Sequence, residues 1–153
     1  MTTAVTERPA VVYLIAQPSI SRKKKPVNIT PLYEHGEVRL VLPQGDSPTF
    51  TPKKCFDLMC DRLFPEEGQQ YDPDIDYLVW AGGDTLAALM AGMLLAEYEI
   101  WHFKWLRYER ARLSNGDRVD EGATYVPITI DLSDPQLGFE LAEAGGDEAS
   151  DDD

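Results

Sequence analysis

Apolar positions in this chain fall into short runs separated by polar, proline- and glycine-bearing stretches. "AVVYLIA", Ala10 to Ala16, is an unbroken β-rich run that predicts a buried first strand. A polar loop with Arg22, Lys23, Lys24 and Lys25 follows. "TPLYEHG" then combines Thr30 as N-cap, proline at the first helical position and Gly36 as a stop, which predicts a short helix. "EVRLVLP" predicts a second strand stopped by Pro43, and Thr51–Pro52 opens a helix through "KKCFDLMCDRLF" with Phe56, Met59, Cys60 and Leu63 on one stripe. "DYLVWA", Asp76 to Ala81, reads as a third strand covered on both faces. The segment from Asp84 to about Tyr98 is apolar nearly all round, which predicts a largely buried helix whose Ala87, Ala88, Ala91 and Gly92 allow close approach to a sheet. "IWHFKWLRYER" predicts a long aromatic fourth strand, Asn115–Gly116 marks a turn, and "TYVPITIDL" predicts a fifth strand whose Pro127 favours a sheet edge.

Strand–helix alternation through four strands predicts right-handed crossovers and a mostly parallel sheet with helices on its faces. The expected fold is therefore α/β: a small three-layer domain, mostly parallel, with a C-terminal antiparallel hairpin. One domain is expected over 1–139, with a flexible loop at 17–30 and a disordered tail at 140–153; the chain holds no internal repeat.

Composition narrows the setting. A hydrophobic content of 43% with seven tyrosines, five phenylalanines and three tryptophans describes a globular chain. No apolar run approaches the ~20 residues that span a bilayer. The start, "MTTAVTERPA", lacks the order of a secretory signal, and Cys55 and Cys60 are too few for a disulfide framework, so reduced thiols and a cytoplasmic setting are expected. Net charge is −13, from 27 acids and 14 bases. Residues 140–153 hold seven of those acids and no base, which leaves the other 139 residues at −6. Such a tail confers solubility, or competes for a basic, nucleic-acid-binding surface on another protein.

Two stretches offer chemistry. "AGGDT" places Gly82, Gly83, Asp84 and Thr85 between a strand and a helix, where free N–H groups and the helix dipole suit an anion. However, no dinucleotide or P-loop pattern accompanies it, and Asp84 sits where an N-cap carboxylate belongs, which would repel a phosphate. A structural cap is the expected role, with a small ligand or nucleotide at these four residues as the alternative. "WHFKWLRYER" sets Trp101, Phe103, Trp105, Arg107 and Glu109 on one side and His102, Lys104, Leu106, Tyr108 and Arg110 on the other. Lys104, Trp105, Arg107, Tyr108 and Arg110 are the residues a single-stranded nucleic acid would use, through stacking and phosphate neutralisation, and Arg112 and Arg118 of the basic hairpin bring the bases of this region to five. The net charge disfavours that partner, and Trp101, Phe103 and Trp105 together read as a core face, so packing with a solvated basic end is the preferred reading. His35 and His102 have no metal-ligand spacing around them, and Ser19 and Ser21 no nucleophile-elbow pattern. No catalytic residue, metal or cofactor is expected.

Asp76–Tyr77, Gly83–Asp84, "LRYER" (Leu106 to Arg110) and the segment from Tyr125 to Leu132 together resemble a group of small uncharacterised proteins of tailed bacteriophages. That resemblance spans roughly the last two-thirds of the folded chain and brings no catalytic residue with it. It implies a phage protein acting in the bacterial cytoplasm. With the charge, the expected function is a non-enzymatic interaction protein that binds a host or phage protein, including a nucleic-acid-handling or defence component, partly through its acidic surface. Neither a membrane role nor an oligomeric state is indicated.

Overall fold

A computed structural model describes residues 8–16, 28–42, 51–80 and 85–134 of the chain. In chain order they form β1 (Val11–Ala16), a 3-10 helix (Thr30–Glu34), β2 (Glu37–Leu42), α1 (Pro52–Leu63), β3 (Tyr77–Val79), α2 (Thr85–Glu97), β4 (His102–Arg112) and β5 (Arg118–Asp131). The five strands make one sheet in the order β2-β1-β3-β4-β5. The first four are parallel and β5 returns antiparallel to β4. This is the expected α/β architecture, and β5 with its proline stands at the sheet edge, where a missing N–H is tolerated.

Alternation along β1 divides the core. Val11, Tyr13 and Ile15 face α1 and α2, against Met59 and Leu63 of the first and Ala87, Met90 and Leu94 of the second. Val12 and Leu14 face the other way, with Val79, Leu106, Tyr125 and Leu32 of the 3-10 helix. Both α-helices thus cover one face, and a single 3-10 turn covers part of the other. The 3-10 helix between β1 and β2 lies on one face and α1 and α2 of the later crossovers on the opposite one, as crossovers of one hand require when the chain reverses its direction across a sheet.

Several local details differ from expectation, each for a packing reason. Thr30 does not cap its helix: Ile29 occupies the cap, and Thr30 N–H donates to Asn28 Oδ1 at 3.0 Å. Five residues are too few for an α-helix, so the turn closes with Leu32 N–H donating to the Ile29 carbonyl. Thr51 does cap α1, accepting from Lys54 N–H at 3.2 Å. The inward stripe of α1 is Cys55, Met59 and Leu63, with Phe56 and Cys60 half-buried against the same core cluster. α2 is not buried all round. Leu89 and Met93 are 59% and 52% exposed, and a Cβ on Gly92 would meet nothing within 4 Å, so Gly92 serves no close approach. No further layer of described residues covers that side. Trp101 is 46% exposed rather than in the core: it precedes β4, and its carbonyl accepts from Leu132 N–H at 2.6 Å. The expected loop, apart from 28–30, and the acidic tail lie outside the described residues.

β3 begins after Asp76, whose side chain is fully buried. Its Oδ1 accepts from Arg8 Nη1 at 2.7 Å and from Val11 N–H at 2.9 Å. Its Oδ2 accepts from Arg8 Nη2 at 2.6 Å and from Asp72 N–H at 2.8 Å. A buried carboxylate is tolerated when all its lone pairs are answered in this way.

Gly36, between the 3-10 helix and β2, has φ +152°, and a Cβ there would stand 2.2 Å from the Ala10 carbonyl oxygen. Backbone on both sides leaves no room to relax, so Gly36→Ala is expected to destabilise by about 2 kcal/mol or more, measured by urea denaturation. The buried phenols give a pH dependence. Burial raises the pKa of Tyr13 and Tyr71, and pushes Tyr125 up to about 12. Unfolded tyrosine titrates near ~10, so above that pH the unfolded chain releases protons that the native state retains. Stability is therefore expected to be independent of these groups below pH ~10 and to fall as pH rises through the folded values, read as the urea midpoint across alkaline pH.

Candidate functional site

The β4–β5 pair is long for the sheet that carries it. β3 pairs with β4 only at Tyr77–Lys104 and Leu78–Trp105, whereas β5 accompanies β4 out to Arg112–Arg118. From Leu106 onward β4 therefore has one strand partner among the described residues, and the pair runs on as a two-stranded ribbon. Its turn is the one that Asn115–Gly116 signalled: Gly116 N–H donates to the Leu113 carbonyl at 2.9 Å with φ +92°, and Asn115 Oδ1 accepts from Asp117 N–H at 3.0 Å. Between Glu109–Thr124 and Ala111–Val119 the register shifts, β5 advancing five residues while β4 advances two. Gly122, at φ +79°, takes up the bulge. Asp120 pins it, accepting from the Tyr108 hydroxyl at 2.8 Å and from Arg110 Nε at 3.0 Å. Burial and then the Asp120 hydrogen bond raise the Tyr108 pKa.

Side chains from both strands line one open cavity of about 540 Å³: Arg107, Tyr108, Glu109, Arg110, Arg112 and Arg118. Of the five residues expected to serve a nucleic acid, the structure gathers Arg107, Tyr108 and Arg110 here. Lys104 instead sits 5.4 Å from the centre of the Tyr77 ring, and Trp105 packs half-buried on the helix-covered face beside Phe103. Tyr108, besides lining the cavity, tilts against Tyr125 at 5.3 Å in the cluster on the side of the sheet away from α1 and α2. Arg112 and Arg118 complete the cavity although neither stood among those five. Both belong to the basic region that the sequence marked, and the Asn115–Gly116 turn accounts for their pairing, because a turn centred there sets 112 opposite 118.

The glycine junction follows directly on β3. Gly82, Gly83 and Asp84 lie outside the described residues, and Thr85 opens α2. Topology marks the neighbourhood: β1 and β3 are adjacent, and the helices that follow them, the 3-10 helix and α2, lie on opposite faces, which is the switch point where open α/β sheets collect ligands. Trp80, one residue beyond β3, buries its indole N–H without a hydrogen bond among the described residues.

Other reactive groups are engaged in structure. His35 Nε2 hydrogen-bonds the Tyr125 carbonyl at 3.0 Å, and His102 Nε2 meets Asp74 Oδ1 at 2.8 Å. Cys55 is buried, and Cys60 Sγ lies 3.1 Å from the Tyr98 hydroxyl, an interaction that raises the Tyr98 pKa. Among the described residues no three His, Cys, Asp or Glu side chains gather as metal ligands, and no helix is long and apolar enough to cross a membrane.

Neither the curated proteins nor the solved structures hold a match to this chain. A family model does match, that of the Phage Pam3 gp32-like protein, over residues 10–115. The match runs from the start of β1 through the Asn115 turn position, taking in the first four strands and both helices. The chain therefore belongs to the Phage Pam3 gp32-like protein family.

Proposed function

We propose that this phage protein is a non-enzymatic interaction protein of the bacterial cytoplasm, which docks a host or phage protein on the outer side of α2. The observation that carries the reading is the composition of that helix. "TLAALMAGMLLAE" has no charged residue before Glu97, and its outward positions include the exposed Leu89 and Met93. A helix that lies on a sheet with solvent outside ordinarily turns polar residues outward; an apolar outer side marks a surface that another molecule covers. The excess of acids suits a partner with a basic surface, such as one that handles nucleic acid, since opposite charge speeds encounter.

A small ligand or nucleotide at Gly82, Gly83, Asp84 and Thr85 is the second reading, favoured by the switch point between β1 and β3. A rise in melting temperature with added nucleotide, lost in Asp84→Ala, is what it requires; no rise with any nucleotide contradicts it.

For the first reading, the tagged full chain and the Met93→Asp variant are used to capture protein from infected host cells, and the captured partner is then purified for direct titration. The substitution is expected to leave stability within about 0.5 kcal/mol of the parent, as exposed positions do, and to weaken binding at least tenfold. Higher salt should slow association. A partner that binds both forms equally, or a failure to capture any, would contradict docking on α2.

A further inference from the structure

We propose that the β4–β5 ribbon is a binding site for the phosphate backbone of a nucleic acid, held by Arg107, Arg112 and Arg118. The site is separate from the outer side of α2 and does not depend on it. It differs from the stacking platform that the strand sequence suggested, because Lys104 and Trp105 stand outside it and its bases come from both strands.

Three observations converge. First, Arg112 and Arg118 are direct partners across the antiparallel ladder. Like charges in that position repel. The chain carries 27 acids, yet among the described residues none pairs with Arg107, Arg112 or Arg118, while Arg110 is paired with Asp120. Three free guanidiniums on one cavity are a repulsion that an anionic ligand relieves. Second, a two-stranded ribbon is marginal by itself. This one extends past its last β3 partner and is pinned in shape by the Asp120 contacts and the Gly122 bulge, so the arginines are presented on a defined frame. Third, Arg107 and Arg112 are five residues apart on β4, about 17 Å of strand. That span exceeds one phosphate group and matches a ligand carrying several in a row. The guanidinium fork suits phosphate oxygens in particular.

The net charge of −13 does not decide the matter locally. Seven of the acids lie in residues 140–153, and at physiological salt exposed charges are screened beyond about 8 Å. Glu109 lines the cavity as well and Asp120 neutralises Arg110, while Asp117 and Glu121 elsewhere on the ribbon balance the remaining two charges, so the positive field is confined to the cavity. Binding should accordingly be weak and steeply salt-dependent. A ribbon of two strands has the width to enter a duplex major groove, and the cavity alone could track a single strand, so both sources of the same phosphate chemistry are tested.

The experiment is fluorescence anisotropy of the full chain with a labelled 20-nucleotide DNA, single-stranded and as duplex, at low and moderate salt. One or both forms should bind at low salt. Log affinity should fall with log salt at a slope of roughly −2 for a single strand or −3 for a duplex, as three phosphate contacts imply. The Arg112→Gln/Arg118→Gln variant should melt no earlier than the parent and bind at least tenfold more weakly. The Lys53→Gln/Lys54→Gln variant, which removes the same charge from α1, should bind like the parent. Should the arginine variant melt earlier, Arg107→Gln alone supplies the same reading from the other side of the bulge. The proposal is overturned if neither DNA form binds at low salt, if the arginine variants bind like the parent, or if the lysine variant weakens binding as much. Displacement by polyglutamate as effective as by unlabelled DNA would also overturn it, and would assign the ribbon to an acidic protein.

Discussion

Asp76 is the point on which the rest of the sheet is set. Its carboxylate takes two hydrogen bonds from Arg8, one from the first N–H of β1 at Val11 and one from Asp72, all between 2.6 and 2.9 Å. Two central parallel strands, separated by more than sixty residues of chain, thereby begin at a shared fixed point, and the register that follows, Val12 beside Tyr77, decides which side chains face which layer. The arrangement is reciprocal. The Asp76 hydrogen bond is the main cause that raises the Arg8 pKa, and Asp76 also adds to the burial that holds the Tyr71 phenol protonated. A carboxylate buried without these partners would cost several kcal/mol.

From that register comes the asymmetry of the molecule. Val11, Tyr13 and Ile15 of β1 carry the helical layer, whereas Val12 and Leu14 pack with Leu32 of the 3-10 turn and with neighbouring-strand residues such as Val79, Leu106 and Tyr125. With two helices on one face and no further layer of described residues outside them, α2 is left with an apolar outer side. With β3 only three residues long, the β4–β5 pair outruns its support and becomes a ribbon. Both surfaces argued to be functional are therefore consequences of where the sheet stops, not additions to it.

What was legible in the sequence is what local physics controls. The apolar run of β1, the Thr51 cap of α1, the Asn115–Gly116 turn and the edge position of Pro127 each depend on a few neighbouring residues, and each stands where it was expected. Helix α2 shows the limit. Its all-round apolar pattern gives the tendency to be buried, but not whether the fold supplies a layer to bury Leu89 and Met93. The same limit applies to Trp101, which the alternation of "WHFKW" put in the core although the strand begins one residue later. Arg8 with Asp76, sixty-eight positions apart, carries no local signal. Arg112 and Arg118 were legible in part, once the turn between them fixed the ladder.

The most direct test of the account is a double-mutant cycle on Arg8 and Asp76, with stability measured by urea denaturation. Asp76→Ala leaves Arg8, Val11 N–H and Asp72 N–H without their acceptor, so a loss of about 3–5 kcal/mol is expected. Arg8→Ala should cost less, because part of that side chain is exposed, and the double variant should lose clearly less than the two single losses together. A cost for Asp76→Ala below about 1 kcal/mol, or strictly additive losses, would contradict the claim that this pair sets the sheet.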